Sequence, residues 1–308
     1  MKKTYTTTAP AKINLFLRVC GKYDNGYHRL YMLMQSLSLG DEISVEFDDG
    51  RGFDIEIESG VPIPREKDLG YKAAKAFYDA WEDKLKTEAK PVPELPYTFI
   101  KEVKKVPSQA GLGGGSSDAA SVLKILQEHF GNPLTDDELL NISSRLGADV
   151  PFFLTGGTCI CEGIGEKITK LPDLKGVNVL LVKPEAGVPT GECYALSDEM
   201  YEPFDEEEYK KSIGEAFLDE GLAPAERIKK ASRFLINDLQ APAERIAPVI
   251  TGIIGSVKRT GPCFAAMTGS GSCVFGIYED EKTRDEAEAL LKADPQASGC
   301  QIIPACFS

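Results

Sequence analysis

Apolar and polar positions alternate along residues 11–19, which predicts a β-strand with Ile13, Leu15 and Leu17 on one face and Lys12, Asn14 and Phe16 on the other. Two shorter runs, 43–47 (I-S-V-E-F) and 53–57 (F-D-I-E-I), alternate strictly on either side of Asp48-Asp49-Gly50-Arg51-Gly52. Their spacing predicts a β-hairpin, apolar on one side and acidic on the other. Leu69, Ala73, Ala76, Phe77 and Ala80 then recur at helical spacing within 68–86, and a proline-rich connection over 90–96 separates that helix from a strand over 97–103. A glycine-rich stretch follows and opens into a helix with Ala119, Val122, Leu123, Leu126 and Phe130 on one face, stopped by Gly131-Asn132-Pro133. Thr135 and Glu138 form a capping box for the next helix, whose Leu139, Ile142 and Leu146 face inward as far as Gly147.

Farther on, 177–182 is a near-continuous apolar strand, 201–230 is acidic and then mixed with helical character, 273–278 is a late strand, and a charged helix runs over about 283–293. Strands come first and then mix with helices without regular βαβ alternation, so the pattern predicts an α+β protein in two lobes. The boundary falls near 160–175, and we divide the chain into 1–165 and 166–308. No internal repeat is visible.

Composition narrows the function classes. The 308 residues carry 35 Lys+Arg against 48 Asp+Glu, a formal charge of −13, which disfavours extended nucleic acid as a partner because phosphate contacts need clustered cations. No apolar run approaches the roughly 18 residues of a membrane span, and the first eight residues lack the apolar core of a secretory signal. The expectation is a soluble, cytoplasmic, folded protein, monomeric or homodimeric, with no membrane partner. Eight cysteines and two histidines, without metal-ligand spacing, point to buried structural thiols rather than a zinc site.

The segment richest in chemistry is P-S-Q-A-G-L-G-G-G-S-S-D-A-A over 107–120. Its glycines let main-chain amides approach a ligand closely, and the helix that follows offers free N–H groups and a favourable dipole to an anion. Ser116 and Ser117 add hydroxyls and are candidate helix caps. This is a phosphate cradle without the Walker lysine and without the acidic residue of a dinucleotide fold, or else a flexible turn before a capped helix. A second such stretch, Met267 to Cys273, is either a tight turn or a closure over the same phosphates. Lys12 shares its strand face with Asn14, which suggests a cleft rather than a solubilising edge. Asp149, among apolar residues, is a surface acid, ion-paired, protonated or functional, and Tyr27-His28 is structural, exposed or a base-stacking and hydrogen-bonding pair.

Three segments in order, P-A-K-I-N-L-F-L (10–17), the stretch 107–120 and M-T-G-S-G-S-C-V-F (267–275), resemble the motifs of the GHMP kinases, the galacto-, homoserine, mevalonate and phosphomevalonate kinases. G-Y-H at 26–28, L-G-A-D-V-P-F-F at 146–153 and V-P-T at 188–190 are similar to the members acting on a cytidine diphosphate-linked methylerythritol. The resemblance implies a two-lobed GHMP kinase fold, with an N-terminal ATP-binding lobe, a C-terminal α/β sandwich (ferredoxin-like) lobe and an active site in the cleft between them. It further implies an ATP-dependent kinase phosphorylating the 2-hydroxyl of that small molecule on the non-mevalonate route to isoprenoid precursors, with Mg²⁺ accompanying ATP and no unambiguous protein ligand for the metal. Carried over by position, Asp149 takes the hydroxyl proton, and Lys12 keeps Asp149 ionised and stabilises the reacting oxygens. Gly111, Gly113, Gly114, Gly115, Ser116 and Ser117 bind the triphosphate, beginning at Pro107, and Lys104 lies near the nucleotide. Tyr27 and Tyr194 stack on the cytosine, His28 hydrogen-bonds its edge, and Asn14 and Thr190 hold the substrate. The chain departs from the family pattern at Asp68, where Asn is usual, and at Gly70, where a larger residue is usual, which leaves the adenine contacts there unassigned; at 194 a Tyr stands where Phe is frequent and should still stack. A homoserine- or phosphomevalonate-type kinase is the nearest alternative, although such a substrate has no base for Tyr27 and His28 to meet. A non-catalytic nucleotide-binding protein on this fold is the other.

Overall fold

The computed structural model describes residues 2–308. In chain order the strands are β1 (Lys2–Lys22), β2 (His28–Asp48), β3 (Ile55–Glu58), β4 (Tyr97–Val103), β5 (Thr158–Gly163), β6 (Lys167–Lys170), β7 (Asn178–Lys183), β8 (Phe264–Met267), β9 (Val274–Tyr278) and β10 (Gln301–Cys306). The helices are α1 (Leu69–Thr87), α2 (Gly114–His129), α3 (Asp136–Leu146), α4 (Val150–Thr155), α5 (Thr190–Glu199), α6 (Glu206–Phe217), α7 (Pro224–Ala231), α8 (Gln240–Ile246), α9 (Val249–Arg259) and α10 (Glu281–Ala293). They form two compact units interleaved in sequence: one holds 1–11, 39–106 and 113–155, the other 12–38, 107–112 and 156–308.

In the first unit β3 pairs in parallel with β4, and β4 pairs antiparallel with the second half of β2. The β-hairpin expected over 43–57 is therefore corrected, because β4 lies between its two strands: Phe47 faces Thr98, and Thr98 faces Ile55. Local alternation marks a strand but does not name its partner. Asp48 closes a turn of its own, accepting from Gly50 N at 3.0 Å through Oδ1 and from Arg51 N at 3.3 Å through its carbonyl. The chain then reaches β4 by way of α1, as a parallel pair requires a long crossover. The buried side chains of this unit include Ile43, Val45, Phe47, Phe77, Ile100, Leu123, Leu126 and Phe152.

In the second unit the first half of β2 pairs with β5, and β5 with β6. A four-stranded antiparallel sheet, ordered β10-β7-β9-β8, carries α9 and α10. Val179, Leu180, Ile253, Val257, Phe275 and Ile277 are buried there. The expected strand over 11–19 extends to Lys2–Lys22, and every residue from Ala11 to Cys20 is buried, so the side bearing Lys12 and Asn14 is covered too. All eight cysteines are free thiols, five of them buried.

Candidate active site

In the second unit the strand β1 brings three sequence motifs together. Lys12 donates its backbone N–H to Leu112 O at 2.9 Å, which joins the first motif to the start of the glycine-rich stretch. Asn14 N donates to Thr268 Oγ1 at 2.9 Å, which joins it to the second glycine-rich stretch. Cys273 N donates to Ala110 O at 3.2 Å, and a β-carbon on Gly111 would lie 2.3 Å from Thr268 O. Gly111 also sits at φ +73°, so only glycine permits this approach. Within that frame Lys12 is 3% exposed and donates from Nζ to Asn14 Oδ1 at 2.7 Å, while Asn14 Nδ2 points at Met32 Sδ. Pro107 is half-buried at the head of the stretch. Asn237, which the sequence does not single out, donates from Nδ2 to Met267 O at 2.8 Å and to Gly269 O at 2.9 Å.

The same unit carries an aromatic site. Tyr23 N donates to Tyr27 O, and Gly26 N to Tyr23 O, so a tight turn presents Tyr27, which is 60% exposed. His28 is the first residue of β2. Its ring stacks on Tyr194 of α5, with centroids 4.7 Å apart and planes 25° apart. Its Nε2 meets Asp198 Oδ1 at 2.6 Å, and Lys22 Nζ donates to Asp198 Oδ2 at 2.7 Å. The Lys22 bond, with help from His28, holds the Asp198 carboxyl below its usual range despite partial burial. Thr190 opens α5, and its hydroxyl lies 3.0 Å from Ser270 Oγ.

The first unit holds the rest of the glycine-rich stretch. Gly113, at φ +73°, is the N-cap of α2, and no side chain caps that helix, so the expected capping by Ser116 or Ser117 is corrected. The reason is one of register: Ser117 N already donates to Gly113 O at 2.9 Å, which places both serines inside the first turn. The N–H groups of Gly114, Gly115 and Ser116 precede that bond and so lack an intrahelical acceptor. Gly115 is exposed, Gly114 and Ser116 are half-buried, and the Ser117 hydroxyl is buried with no hydrogen-bond partner. Asp149 is half-buried in the turn between α3 and α4, after Gly147, whose carbonyl accepts from Val150 N at 3.1 Å.

Lys104 lies among acids in this unit. It pairs with Asp118 Oδ2, and with Asp41 Oδ2 at 2.5 Å. Asp41 also accepts from Lys105 N and Val106 N at the end of β4. Burial, reinforced by Asp68, pushes the Glu102 carboxyl up to about 7, and burial pushes Asp118 up as well although Lys104 pulls it back. Burial lowers the Lys104 ammonium, but Asp118 and Asp41 more than offset this.

Two segments of the chain, residues 68–157 and 215–294, match the GHMP kinases N terminal domain and the GHMP kinases C terminal domain. The protein is 38% identical over 279 residues to a 4-diphosphocytidyl-2-C-methyl-D-erythritol kinase of Acetivibrio thermocellus, covering 89% of this chain and 90% of that protein. It is 37% identical to the kinase of the same name from Clostridium botulinum, covering 88% and 90%. The chain belongs to the GHMP kinases. A crystal structure of 4-(cytidine 5'-diphospho)-2C-methyl-D-erythritol kinase superposes with a TM-score of 0.72 at 30% identity, covering 99% of this chain and all of that one. A homoserine kinase from Cytophaga hutchinsonii shares the fold, with a TM-score of 0.71 at 17% identity.

Within this GHMP kinase each of the two departures at the start of α1 has its own structural reason. Asp68 is the N-cap, accepting from Gly70 N at 2.8 Å and Tyr71 N at 3.4 Å through Oδ1. A β-carbon on Gly70 would lie 2.6 Å from Glu102 Oε1, so the small residue makes room for the buried acid. Sequence reasoning missed Asp41, Glu102, Asp118, Asn237 and Asp198. The last carried a signal, since Asp198 lies four residues after Tyr194 and so shares its helix face.

Proposed function

We propose that this GHMP kinase transfers the γ-phosphoryl group of ATP to the 2-hydroxyl of 4-diphosphocytidyl-2-C-methyl-D-erythritol, releasing ADP and the 2-phosphate, in the cytoplasm on the non-mevalonate route to isoprenoid precursors. The observation that supports it best is the meeting of three motifs in one unit, Lys12 and Asn14 bonded to Leu112 and Thr268. In this assignment the amides of Gly113, Gly114, Gly115 and Ser116 receive the phosphates at the start of α2, following the backbone from Pro107 and Gly111. Asp149 accepts the hydroxyl proton, and Lys12 stabilises charge on the transferred phosphoryl, since positioning and charge neutralisation carry most of such a reaction. Tyr27 and Tyr194 hold the cytosine with His28, Asn14 and Thr190 bind the rest of the substrate, and Lys104 lies at the nucleotide.

Among the described residues no three His, Cys, Asp or Glu side chains are grouped to hold a metal. That suits Mg²⁺ entering with ATP, held mainly by phosphate oxygens and water, with the orphaned Ser117 hydroxyl as the protein oxygen offered to it. Bound there, the ion would neutralise phosphate charge.

The test is ADP release by the purified protein with ATP, Mg²⁺ and the cytidyl substrate. Asp149→Asn should retain ATP binding and lose on the order of 10²-fold or more in kcat. No ADP with the cytidyl substrate, or release with homoserine instead, overturns the substrate assignment. Full turnover in Asp149→Asn overturns the base.

A further inference from the structure

The α5 helix holds His28 in two ways at once. Tyr194 lies flat against the imidazole, and Asp198, one turn later on the same face, meets its Nε2 at 2.6 Å. The stack sets the plane of the ring and the carboxylate sets its rotation about that plane. Asp198 is in turn fixed by Lys22 from the end of β1, 2.7 Å from the other carboxylate oxygen.

An ionised carboxylate only accepts, so Nε2 must carry a proton. A neutral imidazole has one N–H, and a proton held at Nε2 leaves a lone pair at Nδ1. Among the described residues, Nδ1 makes no hydrogen bond. Cytosine presents an exocyclic amine at position 4, a donor, where uracil presents a carbonyl oxygen, an acceptor. An acceptor at Nδ1 complements the first and opposes the second. The mirror-image tautomer would reverse that preference.

We propose that Asp198 is a positioning residue that fixes His28 in its Nε2–H tautomer, so that Nδ1 accepts from the 4-amino group of cytosine and the site selects cytidyl over uridyl substrates. This rests on the cytidyl-substrate assignment above. A pocket built to pair with a polar group discriminates strongly against the analogue that lacks it, because the mismatch leaves a buried group unpaired. Lys22 acts behind Asp198 by neutralising its second oxygen.

With only two histidines in the chain, the tautomer of His28 is readable by long-range proton–nitrogen NMR of the full-length labelled protein, the signals being assigned by their loss in His28→Gln. Wild type is expected in the Nε2–H form, binding CDP at least about tenfold more tightly than UDP. In Asp198→Ala the tautomers should mix, the CDP-to-UDP ratio should fall to within about threefold of unity, and KM for the cytidyl substrate should rise with kcat little changed. Asp198→Asn, whose carbonyl still accepts from Nε2–H, should keep most of the ratio. An Nδ1–H tautomer in wild type, or an unchanged ratio in a folded Asp198→Ala, overturns the inference even while wild type turns over the cytidyl substrate. Failure of wild type to release ADP with that substrate instead removes the assignment on which the inference stands.

Discussion

Residues 111–117 lead into the 16-residue helix α2, whereas residues 267–273 lead into the five-residue strand β9, and this separates two stretches of similar composition. At the start of α2, three amides precede the first intrahelical bond and remain available to an anion. In the second stretch several backbone groups are tied to protein partners: Gly271 N bonds Thr268 O, Thr268 N bonds Cys273 O, and Asn237 takes the carbonyls of Met267 and Gly269. The Ser272 hydroxyl bonds Ala186 O. Glycine-rich composition therefore supplies close approach in both places, and the element that follows decides what the approach serves. The first stretch opens a helix with unpaired amides, and the second holds Gly111 and Asn14 in place.

The largest effect should come where the two stretches meet. Gly111→Ala adds a β-carbon 2.3 Å from Thr268 O at a left-handed backbone position, so one of the two segments must move. Backbone strain alone costs about 1–2 kcal/mol, and with the clash the loss should reach about 3 kcal/mol or more. Urea unfolding measures this directly, and near-wild-type stability would mean that the two segments are not locked together. Asn237→Ala should rank next. It strips donors from two carbonyls and an acceptor from Leu239 N, at a cost of about 2 kcal/mol. If the second stretch is a scaffold, the folded variant should keep its KM for ATP within about threefold, a change far below its stability loss. A larger rise in KM would make that stretch a direct phosphate contact.

Gly115→Ala separates donor from scaffold in the opposite sense. Gly115 lies in the first turn of α2, and the nearest atom to an added β-carbon is Leu69 Cδ1 at an ordinary 3.5 Å. Stability should be unchanged or rise by up to about 1 kcal/mol from helix propensity. KM for ATP should rise about tenfold if the amides of α2 receive the phosphates as proposed, because the methyl group would stand at that approach. An unchanged KM would put the phosphates elsewhere.

Much of this was legible in the chain. The strand over 97–103, the capping box of Thr135 and Glu138, and the helix after the glycines all stand where periodicity and end signals put them, because each is decided by neighbours in sequence. The partner of 53–57 was not legible, since β4 lies some forty residues farther on and alternation carries no address. The burial of Lys12 was likewise hidden, because it depends on Leu112 and Thr268, one of them more than 250 residues away. The acids around Lys104 come from β2, β4 and the start of α2, and nothing local marks Asp41 or Glu102 as interior.

Those acids give the comparison its last and smallest test, since the two stretches differ in how they are anchored. The second is tied by the neutral amide of Asn237. The first begins where Gly114 packs against Val106 and Asp41, and α2 carries Asp118 in its second turn, beside Lys104. Glu102 completes this group, facing Asp68, Lys104 and Asp41, with Ser59 donating to Oε2 at 3.1 Å. Its carboxyl, raised by burial and by Asp68 to about 7, keeps a proton that the unfolded chain releases near 4.5. The folded state therefore binds the extra proton between those values, so the stability it brings is full below about 4.5 and is lost as pH rises through about 7. A tenfold difference in proton affinity between the folded and unfolded chain is worth about 1.4 kcal/mol, and with relaxation around the charge we expect about 1 kcal/mol between pH 5 and pH 8. Glu102→Gln mimics the protonated form. It should match wild type near pH 5, exceed its stability by about that amount near pH 8, and flatten the slope. Hydrogen exchange should place the wild-type change in the amides of 113–118 and leave those of 267–273 constant. Equal pH dependence in the two stretches would show that their anchors do not differ in charge, and a slope that survives Glu102→Gln would assign the proton to Asp118 instead.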